Sequence, residues 1–153
     1  MDYYQGVVYD YLRAARSLFL NTECCIQLNE GKNPDTSGPH WYCDAVVADF
    51  KNKRIFLCEI SYSLSLSDLL NRLKDWNEHW AKVREALHRD SDLPDDWPIS
   101  VWIFVPEKLK PAFEKGQQRI GNEGPFKFDV KVTALEETVP WKYPSWNRCS
   151  ESD

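Results

Sequence analysis

The stretch 41-WYCDAVVADFKNKRIFLCEISY-62 reads as two short apolar runs, residues 43–50 and 55–62, joined by the polar segment Lys51-Asn52-Lys53-Arg54. Runs rich in Val, Ile, Phe and Cys on either side of such a segment predict a β-hairpin. Asp44 in the first run and Glu59 in the second are acids placed where a half-buried strand has no ordinary use for one. With the turn centred between Asn52 and Lys53, Asp44 falls opposite Ser61 and Glu59 opposite Val46. The side-chain period of two then places Asp44, Glu59 and Ser61 on one face, with Cys43, Ala45, Cys58 and Ile60 on the other. Diagonal neighbours on such a pair stand about 7–8 Å apart, close enough for two carboxylates to hold one divalent cation. Left unpaired among apolar side chains, the two acids would repel each other. The hairpin alone also admits a plainer reading, two acids at a sheet margin satisfied by Arg or Lys.

Before the hairpin, residues 3–20 place Val7 or Val8, Tyr11, Leu12, Ala15, Leu18 and Phe19 at helical spacing, which predicts an amphipathic first helix ended by Asn21 and Thr22. Residues 23–29 read as a strand. Residues 30–39, with Gly31, Asn33-Pro34, Gly38 and Pro39, read as a loop that could form a rim over the acids. After the hairpin, Leu66, Leu69, Leu70, Leu73, Trp76, Trp80, Val83 and Leu87 hold one face of a helix expected over 66–88, with Ser65 and Asp68 as its capping box. Residues 99–105 read as a buried strand and 107–120 as a short helix with Pro111 delaying its start. Residues 126–135 read as a last strand near a sheet edge. One domain is expected over 1–137, followed by a Pro- and Trp-containing tail, 138–153, that packs Trp141 and Trp146 on the domain surface.

The net charge of −5 gives no global positive field, so a nucleic-acid partner needs a local basic patch. The candidates are the turn residues Lys51, Lys53 and Arg54 and the first-helix pair Arg13 and Arg16, which could track a phosphate backbone. No apolar run is long enough to span a bilayer and no signal-peptide pattern opens the chain, so a soluble, cytoplasmic protein without a membrane partner is expected. The five cysteines lack zinc-site spacing and are expected as free core thiols in a reducing compartment. His40 is a candidate rim residue, and the histidines support neither a triad nor a His-metal site.

The element order helix, strand, strand, strand, helix, strand, helix, strand, with Asp44, fourteen intervening residues and then Glu59-Ile60-Ser61, resembles the PD-(D/E)XK nuclease superfamily. The resemblance covers roughly residues 3–135. It implies an α/β, restriction-endonuclease-like fold with a central mixed sheet flanked by helices. It also implies a nuclease that hydrolyses phosphodiester bonds, with DNA as the partner and a homodimer as a common state. In that family the two acids bind Mg²⁺ or Mn²⁺, roles that fall here on Asp44 and Glu59 with the carbonyl of Ile60. Gly6 and Asp10 match an additional acid on the first helix. The chain departs from the family at Cys43, where Pro is common, and at Ser61, where the motif has Lys. A serine hydroxyl supplies no positive charge, so Arg72 or Lys74 from the following helix is the candidate replacement. Two rival readings remain. One is a non-catalytic relative that binds a protein partner or nucleic acid without cutting. The other is an interaction domain in which some of the seven Trp form an exposed patch.

Overall fold

The computed structural model describes residues 2–27, 40–121 and 126–143. The chain order is α1 (Tyr3–Arg13), β1 (Leu18–Gln27), β2 (His40–Asp49), β3 (Arg54–Ile60), α2 (Ser67–Glu78), α3 (Trp80–Ser91), β4 (Ile99–Val105), α4 (Lys110–Gly121) and β5 (Val130–Ala134). The strands form one five-stranded sheet in sequence order, with β1, β2 and β3 antiparallel and β3, β4 and β5 parallel. The expected α/β class with a mixed, helix-flanked sheet is therefore what this chain forms.

The two faces of the sheet bury different sets of side chains. On one, Leu69, Leu73 and Trp76 of α2, Trp80, Val83 and Leu87 of α3 and Phe113 of α4 pack on Ile55, Leu57, Val101, Ile103 and Val105. On the other, Val8, Tyr9 and Leu12 of α1 pack on Ala45, Val47, Phe56, Cys58, Trp102 and Phe104. The expected Leu/Trp face is thus the buried one, but the helix expected over 66–88 is two helices, broken at His79. A straight helix of that length would run about 35 Å. Five strands about 4.8 Å apart span roughly 20 Å, so the break keeps both halves over the sheet. The Ser65–Asp68 capping box does not form, and α2 starts without a side-chain cap.

The first helix is shorter than expected. Residues 18–20 leave it to pair with 47–49 of β2, because the strand ladder offers them both backbone hydrogen bonds and neighbours. Asn21 and Thr22, expected to end a helix, lie inside β1. The capping box belongs instead to α1, where Asp2 and Gln5 exchange bonds of 2.8 and 3.1 Å. The final strand is the edge strand β5, shorter than expected, and Leu135–Thr138 follows it as a 3₁₀ turn. Of the tryptophans whose side chains are described, Trp76, Trp80, Trp97 and Trp102 are buried and Trp141 stands 67% exposed. Cys24, Cys43 and Cys58 are free thiols, as expected. The loop 30–39 and Trp146 lie outside the described residues.

Candidate acid site

The register of the β2–β3 hairpin places the acids. Ala45 pairs with Cys58 and Asp49 with Arg54, so the turn is 50–53 and its centre lies one residue earlier than expected. The cause is Asp49. Its carboxylate accepts from the Asn52 backbone N–H at 3.1 Å and from Asn52 Nδ2 at 2.8 Å, which closes the turn, and Lys53 takes the left-handed conformation with φ 54°. Continued by one step, this register sets Asp44 beside Glu59, where the sequence reading has Ser61.

The ladder does not continue regularly, however. Asp44 Oδ2 accepts the backbone N–H of Ile60 at 2.8 Å, so a side chain replaces the β2 main chain as the acceptor. On the other side, Glu23 interrupts β1 with φ 54°. Side-chain alternation breaks at this point: Ala45 packs beneath α1, whereas Cys43, expected on the same face, packs in the α2–α3 core.

Two residues of α1 that the sequence reading did not single out hold Asp44. Gln5 Nε2 donates to Asp44 Oδ1 at 3.0 Å, and the Tyr9 hydroxyl donates to the Asp44 carbonyl at 2.7 Å. They stand four apart, on one side of the helix. Gln5 also caps α1 through its Oε1, so one amide ties the helix start to the acid. The only sequence signal for this is the Asp2-x-x-Gln5 cap pattern beside a buried Tyr. Burial, with Asp44 nearby, raises the Tyr9 hydroxyl pKa and keeps it a donor.

Glu59 is 2% exposed. Its Oε2 accepts from Arg72 Nη1 at 2.7 Å, and its Oε1 is buried without a hydrogen-bond partner. Burial is the largest influence on its acidity and the neighbouring Asp44 the next. Together they outweigh Arg72 and push the carboxyl pKa up to about 8. Near neutral pH Glu59 therefore holds a proton that its unpaired oxygen can present toward Asp44.

The other candidates are distributed as follows. Ser61 lies just past β3, half-buried, its N–H donating to the Phe104 carbonyl at 2.9 Å. Lys74 is exposed on α2, about 200° around the helix from Arg72. Asp10 is 73% exposed and 3.9 Å from Arg13, about 140° around α1 from Gln5. Lys51, Lys53 and Arg54 sit at the turn, and the nearest of them, Arg54, is five residues and about 17 Å along β3 from Glu59. Arg13 lies over the Tyr9 ring at 5.9 Å, and Arg16 is exposed after α1. Asp44, Glu59 and Arg72 are thus brought together, and the basic candidates gather elsewhere. No cluster of three or more His, Cys, Asp or Glu suited to a metal occurs among the described residues.

In comparisons with protein-family models and with curated protein sequences, no match to this chain was found. No helix among the described residues is long and apolar enough to cross a membrane.

Proposed function

We propose that this chain is a divergent PD-(D/E)XK-type nuclease of restriction-endonuclease-like fold, which uses Asp44 and Glu59 to hold Mg²⁺ or Mn²⁺ and hydrolyses phosphodiester bonds in DNA. The observation that carries this reading is the juxtaposition of two carboxyls: Glu59 Oε1 is buried with no N–H or O–H donor of another residue to satisfy it, and the neighbouring Asp44 opposes its ionisation. An orphaned carboxylate oxygen beside another acid fits a cation, which would satisfy both. Asp44 and Glu59, with the Ile60 carbonyl that the family motif supplies, would hold the ion. A bound divalent ion would neutralise phosphate charge and acidify a water.

The remaining roles fall to the chain itself. Gln5 and Ile60 orient Asp44 through Oδ1 and Oδ2, so its carboxylate is fixed before any ligand arrives. Arg72, half-exposed, has donors beyond the one given to Glu59, and in this reading one of them would take a phosphate oxygen. It is the candidate for the positive charge that Ser61 does not provide. Uptake of a cation requires Glu59 to lose its proton, so metal binding should strengthen with pH toward 8.

A second reading is favoured by the Arg72–Glu59 bond itself. An acid that already gives one oxygen to a cation and is protonated near neutrality can be the relic of a site in a protein that binds a protein or nucleic-acid partner without cutting. Calorimetric titration of Mn²⁺ into wild type and Asp44→Ala, with cleavage of single- and double-stranded DNA assayed in parallel, separates the two. Metal uptake lost in Asp44→Ala together with metal-dependent cleavage supports the nuclease. Absence of both in the wild type rejects it.

A further inference from the structure

The register of β1 with β2 passes from the Thr22–Ala45 pair to Cys24–Cys43, just beyond the left-handed Glu23. Both thiol side chains turn to the α2–α3 layer, Cys43 buried and Cys24 half-buried, whereas Cys58 is buried on the opposite face. Directly opposed residues of an antiparallel pair have Cα atoms about 4.5 or 5.5 Å apart, according to their place in the hydrogen-bond pattern. Either spacing lies within the roughly 4.4–6.8 Å that a disulfide accepts. In the reduced chain the two thiols are hydrogen-bonded to each other.

The two cysteines are not equivalent. Cys24 lines an open cleft of about 320 Å³ between β1 and α3, walled by apolar side chains that include Ile26, Val46, Leu87 and Leu93. Cys43 is 2% exposed and does not line it. A small reagent that enters the cleft therefore meets the Cys24 sulfur first. Hydrogen bonds from the Cys43 thiol and from the Val46 backbone N–H favour the Cys24 thiolate and lower its pKa to about 7, although burial opposes this. The thiolate is the nucleophilic form of a cysteine.

We propose that Cys24 and Cys43 form a hydroperoxide-reactive dithiol site, in which Cys24 is oxidised first and Cys43 captures it as a cross-strand disulfide. The Cys24 thiolate attacks one oxygen of a hydroperoxide. An S–O bond forms, the O–O bond breaks, and the departing oxygen takes a proton, so a hydroperoxide leaves as an alcohol, or as water where the reagent is hydrogen peroxide. Cys24 is then a sulfenic acid, oxidised by two electrons. Cys43 Sγ attacks the Cys24 sulfur, the S–S bond forms as the S–O bond breaks, and the hydroxyl departs with the Cys43 proton as water. Two thiols and one peroxide thus give one disulfide, and no other oxidant is needed. The site uses neither carboxyl of the acid pair and stands whether or not the chain cuts DNA.

Treatment of the whole reduced chain with about a tenfold excess of hydrogen peroxide near neutral pH, then alkylation and non-reducing peptide mapping, tests this. Fragmentation of the peptides tells Cys24 from the adjacent Cys25. The expected product is a monomer lighter by two hydrogens with Cys24 linked to Cys43, and dithiothreitol should restore both thiols. In Cys43→Ala the capture is lost, so Cys24 should be found as sulfenic acid, trapped by dimedone, and on longer exposure as sulfinic acid that dithiothreitol does not rescue. Cys24→Ser should leave Cys43 reduced. Circular dichroism verifies that the variants fold, and the wild-type map decides by itself if Cys43→Ala does not. A first-formed link between any other two cysteines, within one chain or between two, overturns the proposal. So does a Cys24 that stays a thiol while another cysteine is oxidised, a folded Cys43→Ala whose Cys24 does not react, or a wild type in which no cysteine reacts.

Discussion

Arg72 reaches from α2 to donate a 2.7 Å hydrogen bond to Glu59, joining a side chain 45% exposed to one 3% exposed. The Glu59 carboxyl still titrates near 8 rather than near its ordinary 4.5, because burial and Asp44 oppose ionisation more than Arg72 favours it. Between those values the folded protein keeps a proton that the unfolded chain has lost. This contribution to stability is therefore complete below the lower value and declines as pH rises toward the upper. Urea unfolding at pH 5 and pH 8 should show wild type losing stability on the order of a few kcal/mol across the interval, and Glu59→Gln losing less. Equal losses in both proteins would sink the assignment of the raised acidity constant to Glu59.

The Arg72–Glu59 hydrogen bond can be separated from general disruption by a double-mutant cycle. Arg72→Ala with Glu59→Gln should reveal a coupling of about 1–2 kcal/mol, more than an exposed pair yields because one partner is buried. A coupling indistinguishable from zero would mean that Arg72 is merely a solvated cation.

Asp44 is predicted to act on Glu59 as well as on the backbone. Asp44→Asn removes the negative charge that opposes Glu59 ionisation, so the Glu59 carboxyl should titrate at lower pH in ¹³C NMR. Asp44→Ala goes further and leaves the Ile60 N–H and Gln5 amide without their acceptor, which should cost about 1–3 kcal/mol. An unmoved Glu59 titration in Asp44→Asn would show that the two carboxylates do not interact.

The α2–α4 contact gives a test of packing. A Cβ on Gly116 would fall inside contact distance of Leu70 Cδ1, with Cδ2 3.0 Å away. Gly116→Ala should therefore destabilise by about 1–3 kcal/mol from overpacking, although alanine is the better helix former by about 1 kcal/mol. In a Leu70→Ala background the clash is gone and the same substitution should become stabilising. Thermal melts that show stabilisation in both backgrounds would mean that Leu70 simply turns aside.

Much of this arrangement is legible in the sequence because it depends on periodicity. The Leu/Trp repeat identifies the buried face of α2 and α3, and the two apolar runs identify the hairpin and its acids. What is not legible is set by single side-chain bonds. Asp49 moves the turn centre by binding Asn52, which is why Asp44 meets Glu59 and not Ser61. The left-handed Glu23 and the Asp44–Ile60 bond break an alternation that a period of two assumes, and so carry Cys43 to the other face. Gln5 and Tyr9 contact Asp44 from 39 and 35 residues away, beyond any local pattern. The family resemblance read from the sequence draws attention instead to Asp10 on the same helix, which faces solvent.

The paired clasps on β2, Asp49 at the turn and Asp44 at the far end, bear on the order in which the molecule assembles. Both belong to a hairpin joined by four residues, which closes in microseconds. The parallel β3–β4 and β4–β5 ladders must first enclose residues 61–98 and 106–129, at a larger entropic cost. The hairpin and its Asp44–Ile60 clasp should therefore precede the arrival of Arg72, leaving Glu59 to be sealed late by α2. Folding kinetics of Val47→Ala and Val101→Ala distinguish this route: the first should slow refolding, the second should chiefly hasten unfolding. The reverse pattern would place nucleation in the parallel half.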